Sequence, residues 1–202
     1  MRPLTTMSRC AGALTTLPVV AHHHPEACVV WFDAHGDLNA PDTSESGYLG
    51  GMIITAAAGL WESGLGAGLT LEQVVLAGAH QLDPCEQALI DAGRVYHLPP
   101  DELTPGALRE AIHGRPVYIH LDCDVLSAGI VPSDYQVEGG LSLERLGALF
   151  EVLAQENVIG MEIAELESHW AGESAPADLT MFIEALTPVI ETLQPANASC
   201  GR

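Results

Sequence analysis

Five short apolar runs rich in Val and Ile constrain the fold more tightly than any other feature of the chain: 28–32 (CVVWF), 74–77, 95–97, 117–121 (VYIHL) and 158–163. Each is continuously hydrophobic rather than alternating, the pattern of parallel strands buried on both faces. Between them lie segments with helical spacing at 51–62, 84–92, 105–113 and 142–155, and another closes the chain at 178–193. In the fourth, Leu143, Leu146, Leu149, Phe150 and Leu153 share a face, and Ser142 stands where an N-cap belongs. Strands alternating with helices predict a three-layer α/β/α sandwich around a mainly parallel sheet. A hydrophobic content of 48% over 202 residues suffices to fill one core. No linker, repeat or low-complexity tract divides the chain, so a single domain over 1–202 is expected.

Charge narrows the function classes. The chain carries 27 acidic residues against seven basic ones, all Arg, for a net charge of −20. Such a surface repels polyanions, which argues against nucleic acid and anionic membranes as partners. No apolar stretch approaches the roughly 20 residues of a spanning helix. The N-terminus holds Arg2 and Arg9 without an apolar signal core, and Cys10, Cys28, Cys85, Cys123 and Cys200 form no CxxC pair. Reduced thiols and a cytoplasmic location are expected. An acidic chain is suited to hold cations wherever its carboxylates converge.

Two clusters promise such convergence. Asp33-Ala34-His35-Gly36-Asp37 follows CVVWF directly, and Asp122-Cys123-Asp124 follows VYIHL. Parallel α/β sheets bind ligands beyond the C-terminal ends of their strands. Residues two apart on extended backbone share a face, so Asp33, His35 and Asp37 point together, as do Asp122 and Asp124, while Cys123 turns to the packed side. Four carboxylates crowded without counter-ions would be forced to take up protons. Two divalent cations would balance their charge, and oxygen ligands with one imidazole favour an ion such as Mn2+. Paired ions lower the pKa of a bound water, which points to metal-assisted hydrolysis. Either cluster alone reads equally well as an Asp-rich loop capping a helix; both together, each at a strand end, read as a site.

These residues resemble the ureohydrolases, the arginase and agmatinase family of binuclear manganese enzymes. FDAHGDLNAP is similar to the family's DAHxD motif, HLDCDVL to its SxDxD motif, and GMEIAEL to a late strand carrying a substrate-facing glutamate. TLPVVAHHHPEA, NAPDTSESGYLGGM and GLWESGLGAGL look closest to the branch that acts on Nω-hydroxy-L-arginine in cycloserine biosynthesis. The resemblance implies a hydrolase that cleaves a guanidino C–N bond with two Mn2+ ions, releasing L-ornithine and hydroxyurea. It implies that Asp33 and Asp122 bridge the ions, that Asp37 completes one and that His35 and Asp124 complete the other. Asp124 would also relay the proton of the attacking water, and Glu165 would hold the guanidinium. Asn39, Ser46 and Asp83 would contact the amino-acid end of the substrate, with Glu86 a weaker candidate. Release of urea as by an arginase or agmatinase, formimidoylglutamase activity, or a non-catalytic interaction module are the alternatives. A single-Zn2+ deacetylase shares the fold but uses another ligand pattern, and homo-oligomerisation is left open.

Three departures from the family pattern stand out. Cys10 occupies the place of a histidine ligand, and its soft thiolate would weaken one Mn2+ site. Gly50 stands where arginases carry a proton-shuttling histidine, which fits a less basic N-hydroxyguanidine substrate. Nine residues precede Cys10, and MRPLTTMSR shows no strand pattern, so the domain is expected to lack the family's first strands. Elsewhere, His22-His23-His24 near a helix end reads as surface. His80, His97, His113 and His169 read as structural or exposed, and Trp31, Trp61 and Trp170 as core or rim. His120 is expected to face away from the metals.

Overall fold

The computed structural model describes residues 2–194. Six parallel strands form one sheet in the order β1-β6-β5-β2-β3-β4: β1 is Leu4–Thr6, β2 Cys28–Phe32, β3 Val74–Ala77, β4 Tyr96–Leu98, β5 Val117–Asp122 and β6 Val158–Ala164. All residues of β2, β3 and β5 are buried, as their continuous apolar runs require. Helices cover both faces. Helices α1 (Ala13–His23), α2 (Ile53–Ala57) and α3 (Pro84–Asp91) pack on one, and α4 (Pro105–Ile112), α5 (Leu143–Leu153) and α6 (Thr180–Leu193) on the other.

Alternation along β2 divides its side chains between the layers. Val29 and Trp31 join Leu17, Ile53 and Ile54 of α1 and α2, whereas Val30 and Phe32 join Leu108, Phe150 and Leu186 of α4, α5 and α6. Cys123 lies on the second side, buried in that core, as its place between two site aspartates predicts. The Ser142 cap is present, its Oγ accepting the Arg145 N–H at 3.2 Å. Cys10, Cys28, Cys85 and Cys123 are free thiols; Cys200 lies outside the described residues.

Three expectations are corrected. The segment 51–62 is not one helix: a 3-10 turn over Leu49–Met52 leads into α2, which stops at Ala57 before Gly59 at φ +72°. A left-handed glycine there turns the chain out of the helix. The N-terminal residues do contain a strand, β1, whose Leu4, Thr5 and Thr6 register with Met161, Glu162 and Ile163. Three partly exposed residues at a sheet edge need no apolar run, so the sequence shows no pattern there. Finally, β4 runs one residue later than expected.

The strand order reverses direction between β2 and β5: from β2 the chain builds outward through β3 and β4, then returns to place β5 on the other side of β2. This topological switch point opens a crevice at the C-terminal strand ends, where loops diverge to opposite faces. Gly78 closes the turn after β3 at φ +98°, and a Cβ there would lie 2.6 Å from Val125 Cγ2. Gly78→Ala should therefore cost roughly 2–4 kcal/mol in chemical denaturation. Gly106→Ala, in α4 with open space around it, should be neutral or stabilising by up to about 1 kcal/mol.

Candidate functional site

The two acidic clusters meet at the switch point. Asp33 leaves the end of β2 and Asp122 closes β5, strands that register from Cys28 with Val117 to Phe32 with Leu121. Local hydrogen bonds hold the carboxylates in place: Asp33 Oδ1 accepts the His35 backbone N–H at 2.6 Å, Asp122 Oδ1 the Asp124 N–H at 2.8 Å, and Asp124 Oδ1 the Ala34 N–H at 3.1 Å. The last bond ties one cluster to the other. Asp37 adopts φ +52°, an unusual backbone for a residue with a side chain, and Glu165, just beyond β6, adopts φ +56°. Such conformations persist where the surroundings impose them, commonly at functional sites.

The donor atoms form three overlapping groups, each within 4.8 Å: Cys10, Asp33 and Asp37; Asp33, His35 and Asp124; and Cys10, Asp122 and Glu165. The first two share Asp33 and could hold two cations side by side. Asp37 Oδ2 is buried and has no hydrogen-bond partner among the described residues, an arrangement that a cation ligand explains. The electrostatics point the same way. Burial, followed by the charge of neighbouring aspartates, raises the pKa of Asp37 and of Asp122 well above the carboxylate range, and that of Asp33 less far because His35 opposes it. Burial disfavours a charged His35, but hydrogen bonds to Asp124 and Asp33 outweigh it and lift the imidazole from 6.5 to about 11. Burial, and then Asp122 and Asp33, push the Cys10 thiol up.

His120 requires a correction. It lies two residues before Asp122 on β5, so the alternation that joins Asp122 to Asp124 also turns His120 to the face of Asp122, not away from it. Its Nε2 lies 3.1 Å from Cys10 Sγ, its Nδ1 lies 2.7 Å from Glu162 Oε1, and its ring stacks on Trp31 at 3.5 Å between centroids. Tyr118 and Thr16 each donate to Glu162 Oε2 at 2.7 Å, and Trp31 Nε1 donates to Asp33 Oδ2 at 3.1 Å. Burial works against the Glu162 charge, yet the bond from His120 and its other donors lower its pKa overall. The sequence held a signal for His120, which stands two residues before Asp122 on the same strand, but not for its pairing with Glu162, which the register of adjacent strands sets.

A cavity of about 440 Å³ opens above the cluster, lined by Cys10, His35, Asp37, Asp122, Asp124 and Glu165 at its floor. Asn39, Ser46, Asp83 and Glu86 also line it, together with Tyr48 and Tyr135, which sequence reasoning did not single out. Asn39 Nδ2 donates to Asp83 Oδ2 at 2.8 Å. Glu86 closes a capping box with Asp83 at the start of α3, accepting the Asp83 N–H at 2.8 Å and the Leu38 N–H at 2.9 Å, so both its oxygens serve the backbone. Gly36 leaves room for that carboxyl, which lies 2.6 Å from where its Cβ would be. Glu165 is only 2% exposed. Its Oε2 accepts from the Arg9 guanidinium at 2.6 Å, and its Oε1 from the Cys10 N–H at 3.1 Å and the Tyr48 hydroxyl at 3.3 Å. Arg9 also pairs with Asp134, and its pKa is raised by the hydrogen bonds to Glu165 and Asp134. Burial and the Glu165 charge raise that of Tyr48.

The arginase family model matches residues 12–184, spanning both acidic clusters and the Glu165 strand. The chain belongs to the arginase family. It is 44% identical over 194 residues to an Nω-hydroxy-L-arginine amidinohydrolase of Streptomyces lavendulae, a match covering 96% of this chain and 68% of that protein. An arginase of Bacillus caldovelox is 32% identical over 169 residues, covering 73% of this chain and 54% of its own length. Among solved structures, Bacillus cereus arginase superposes with a TM-score of 0.81 at 26% identity, covering 98% of this chain and 72% of that one. Membership places the chain among the hydrolases that act on amidines.

The crowded carboxylates set a pH dependence. Asp33, Asp37, Asp122 and His35 all have folded pKa values above their ordinary ones. Such groups favour the folded state at low pH and lose that contribution as pH rises through the folded value. The metal-free protein should melt higher at about pH 5.5 than at about pH 8. Added Mn2+ should raise the melting temperature most at the higher pH, where cations need not displace protons. Thermal melts followed by circular dichroism, with and without chelator, check both trends.

Proposed function

We propose that the chain is a binuclear manganese amidinohydrolase that converts Nω-hydroxy-L-arginine and water into L-ornithine and hydroxyurea. The observation that carries this is the buried set Cys10, Asp33, Asp37, Asp122 and Asp124, with half-buried His35, under a cavity whose floor also bears the buried carboxylate of Glu165. Asp33 and Asp122 would serve both Mn2+ ions, Cys10 and Asp37 would help to hold one, and His35 and Asp124 the other. When bound, the ions supply a water nucleophile of lowered pKa and a positive field for the charge that develops on the tetrahedral carbon's substituents.

The protein's own groups do the rest. Glu165 accepts guanidino N–H donors and fixes the plane of the group above the carboxylates. Its backbone strain and its bonds to Arg9 and the Cys10 N–H keep it from turning away. Asp124, braced by the Ala34 N–H and by His35 at 3.0 Å, takes the proton of the attacking water and returns it to the departing amine. Asn39, Ser46 and Asp83 lie along the cavity wall and would receive the amino-acid end of the substrate. Cys10 and Gly50 support hydroxyarginine over arginine, because a weaker cation site and a missing imidazole leave less help for attack on a strongly basic, resonance-stabilised guanidinium than on a less basic N-hydroxyguanidine.

Elemental analysis after Mn2+ loading should find two ions per chain, and Asp122→Ala should lose at least one. Asp124→Asn should lower kcat by about a hundredfold or more with little change in KM. Glu165→Gln should act mainly on KM, raising it about tenfold or more. Product analysis should identify hydroxyurea and ornithine; a higher kcat/KM for arginine than for hydroxyarginine would overturn the substrate assignment.

A further inference from the structure

Gly50 lies buried in the turn Leu49–Met52, and its backbone is not in the left-handed region that favours glycine. Its lack of a side chain has another reason. A Cβ at this position would stand 2.3 Å from Cε1, 2.8 Å from Cζ and 3.1 Å from the hydroxyl oxygen of Tyr48. The Tyr48 ring therefore fills the volume that any side chain at residue 50 would need, and the two positions are sterically exclusive. The ring packs against Tyr135 with centroids 5.8 Å apart, and its hydroxyl reaches Glu165 Oε1 at 3.3 Å. Both tyrosines line the same cavity as the carboxylates. A neutral phenol thus stands beside the carboxylate assigned to the guanidino group.

We propose that Tyr48 is a specificity-determining residue, its ring seated over Gly50 so that its hydroxyl hydrogen-bonds the N-hydroxyl group of a hydroxyguanidine bound on Glu165. This rests on the amidinohydrolase function proposed above and adds to it the group that reads the substrate's extra oxygen. A phenol both donates and accepts, so it can share Glu165 and still bond an N–OH. A plain guanidinium ends one atom short of that partner. Sites built to bond a hydroxyl discriminate against analogues that lack it, because a polar group is left unpaired.

The test uses the Mn2+-loaded full chain and compares kcat/KM for Nω-hydroxy-L-arginine and L-arginine in wild type, Tyr48→Phe and Gly50→Ala. Tyr48→Phe removes one oxygen and keeps the ring. Gly50→Ala keeps the phenol but displaces the ring, which lies at the partly exposed cavity mouth and has solvent to move into. Both variants should narrow the preference for hydroxyarginine by about tenfold, with the loss falling on hydroxyarginine. Calorimetry should show weaker binding of hydroxyguanidine and unchanged binding of guanidinium, with metal content and melting temperature as in wild type. A preference unchanged in Tyr48→Phe, while wild type hydrolyses hydroxyarginine, overturns the role of Tyr48. A wild type that hydrolyses neither compound overturns the amidinohydrolase function itself, and the role of Tyr48 with it.

Discussion

Repulsion among four buried aspartates is the constraint around which this molecule is organised. Asp33, Asp37, Asp122 and Asp124 are each at most 6% exposed, in a chain already carrying a net charge of −20. Three of them have raised pKa values, from burial first and then from the charge of neighbouring aspartates. The fold accepts this cost at the crevice between β2 and β5, where two oppositely directed crossovers leave room and backbone N–H donors orient the carboxylates. Positive charge is supplied locally by His35 within the cluster and by Arg9 at Glu165. Neither reaches Asp37 Oδ2, which remains a bare acceptor in the interior.

Beneath the carboxylates, a second polar layer joins the sheet to α1. Glu162, His120 and Cys10 form a continuous line of contacts, flanked by Trp31, Tyr118 and Thr16. Both oxygens of Glu162 are met by donors, which is the condition under which a buried charge is tolerated. The layer also orients groups that face the cavity: Trp31 braces Asp33, and His120 sets the position of Cys10. Supporting contacts of this kind decide how accurately a ligand set is held.

What was legible in the sequence followed from rules with short reach. Continuous apolar runs marked β2, β3, β5 and β6, and acidic clusters just after β2 and β5 marked the crevice, because strand ends and side-chain alternation are local properties. The same alternation, applied back from Asp122, also reaches His120. What stayed hidden depends on pairing across the chain. Leu4–Thr6 becomes a strand only because β6 is beside it, and Arg9 acquires a role only where Glu165 returns more than 150 residues later. Gly50 looked like a lost histidine; that its emptiness is filled by Tyr48 is a matter of packing that spacing does not encode. The resemblance marked Asp83, and more weakly Glu86, as contacts to the amino-acid end of the substrate, but their pairing as a helix cap emerged only from the geometry of α3.

The direction of β1 has a practical consequence. Because this strand runs parallel to the other five, the chain enters the sheet at the end remote from the carboxylates and reaches them only at Arg9 and Cys10. Arg2, just ahead of β1, accordingly bonds Thr192 and Asn157 on the side away from the cavity mouth. An insertion between Thr6 and Cys10 would pull directly on the thiol that faces the carboxylates.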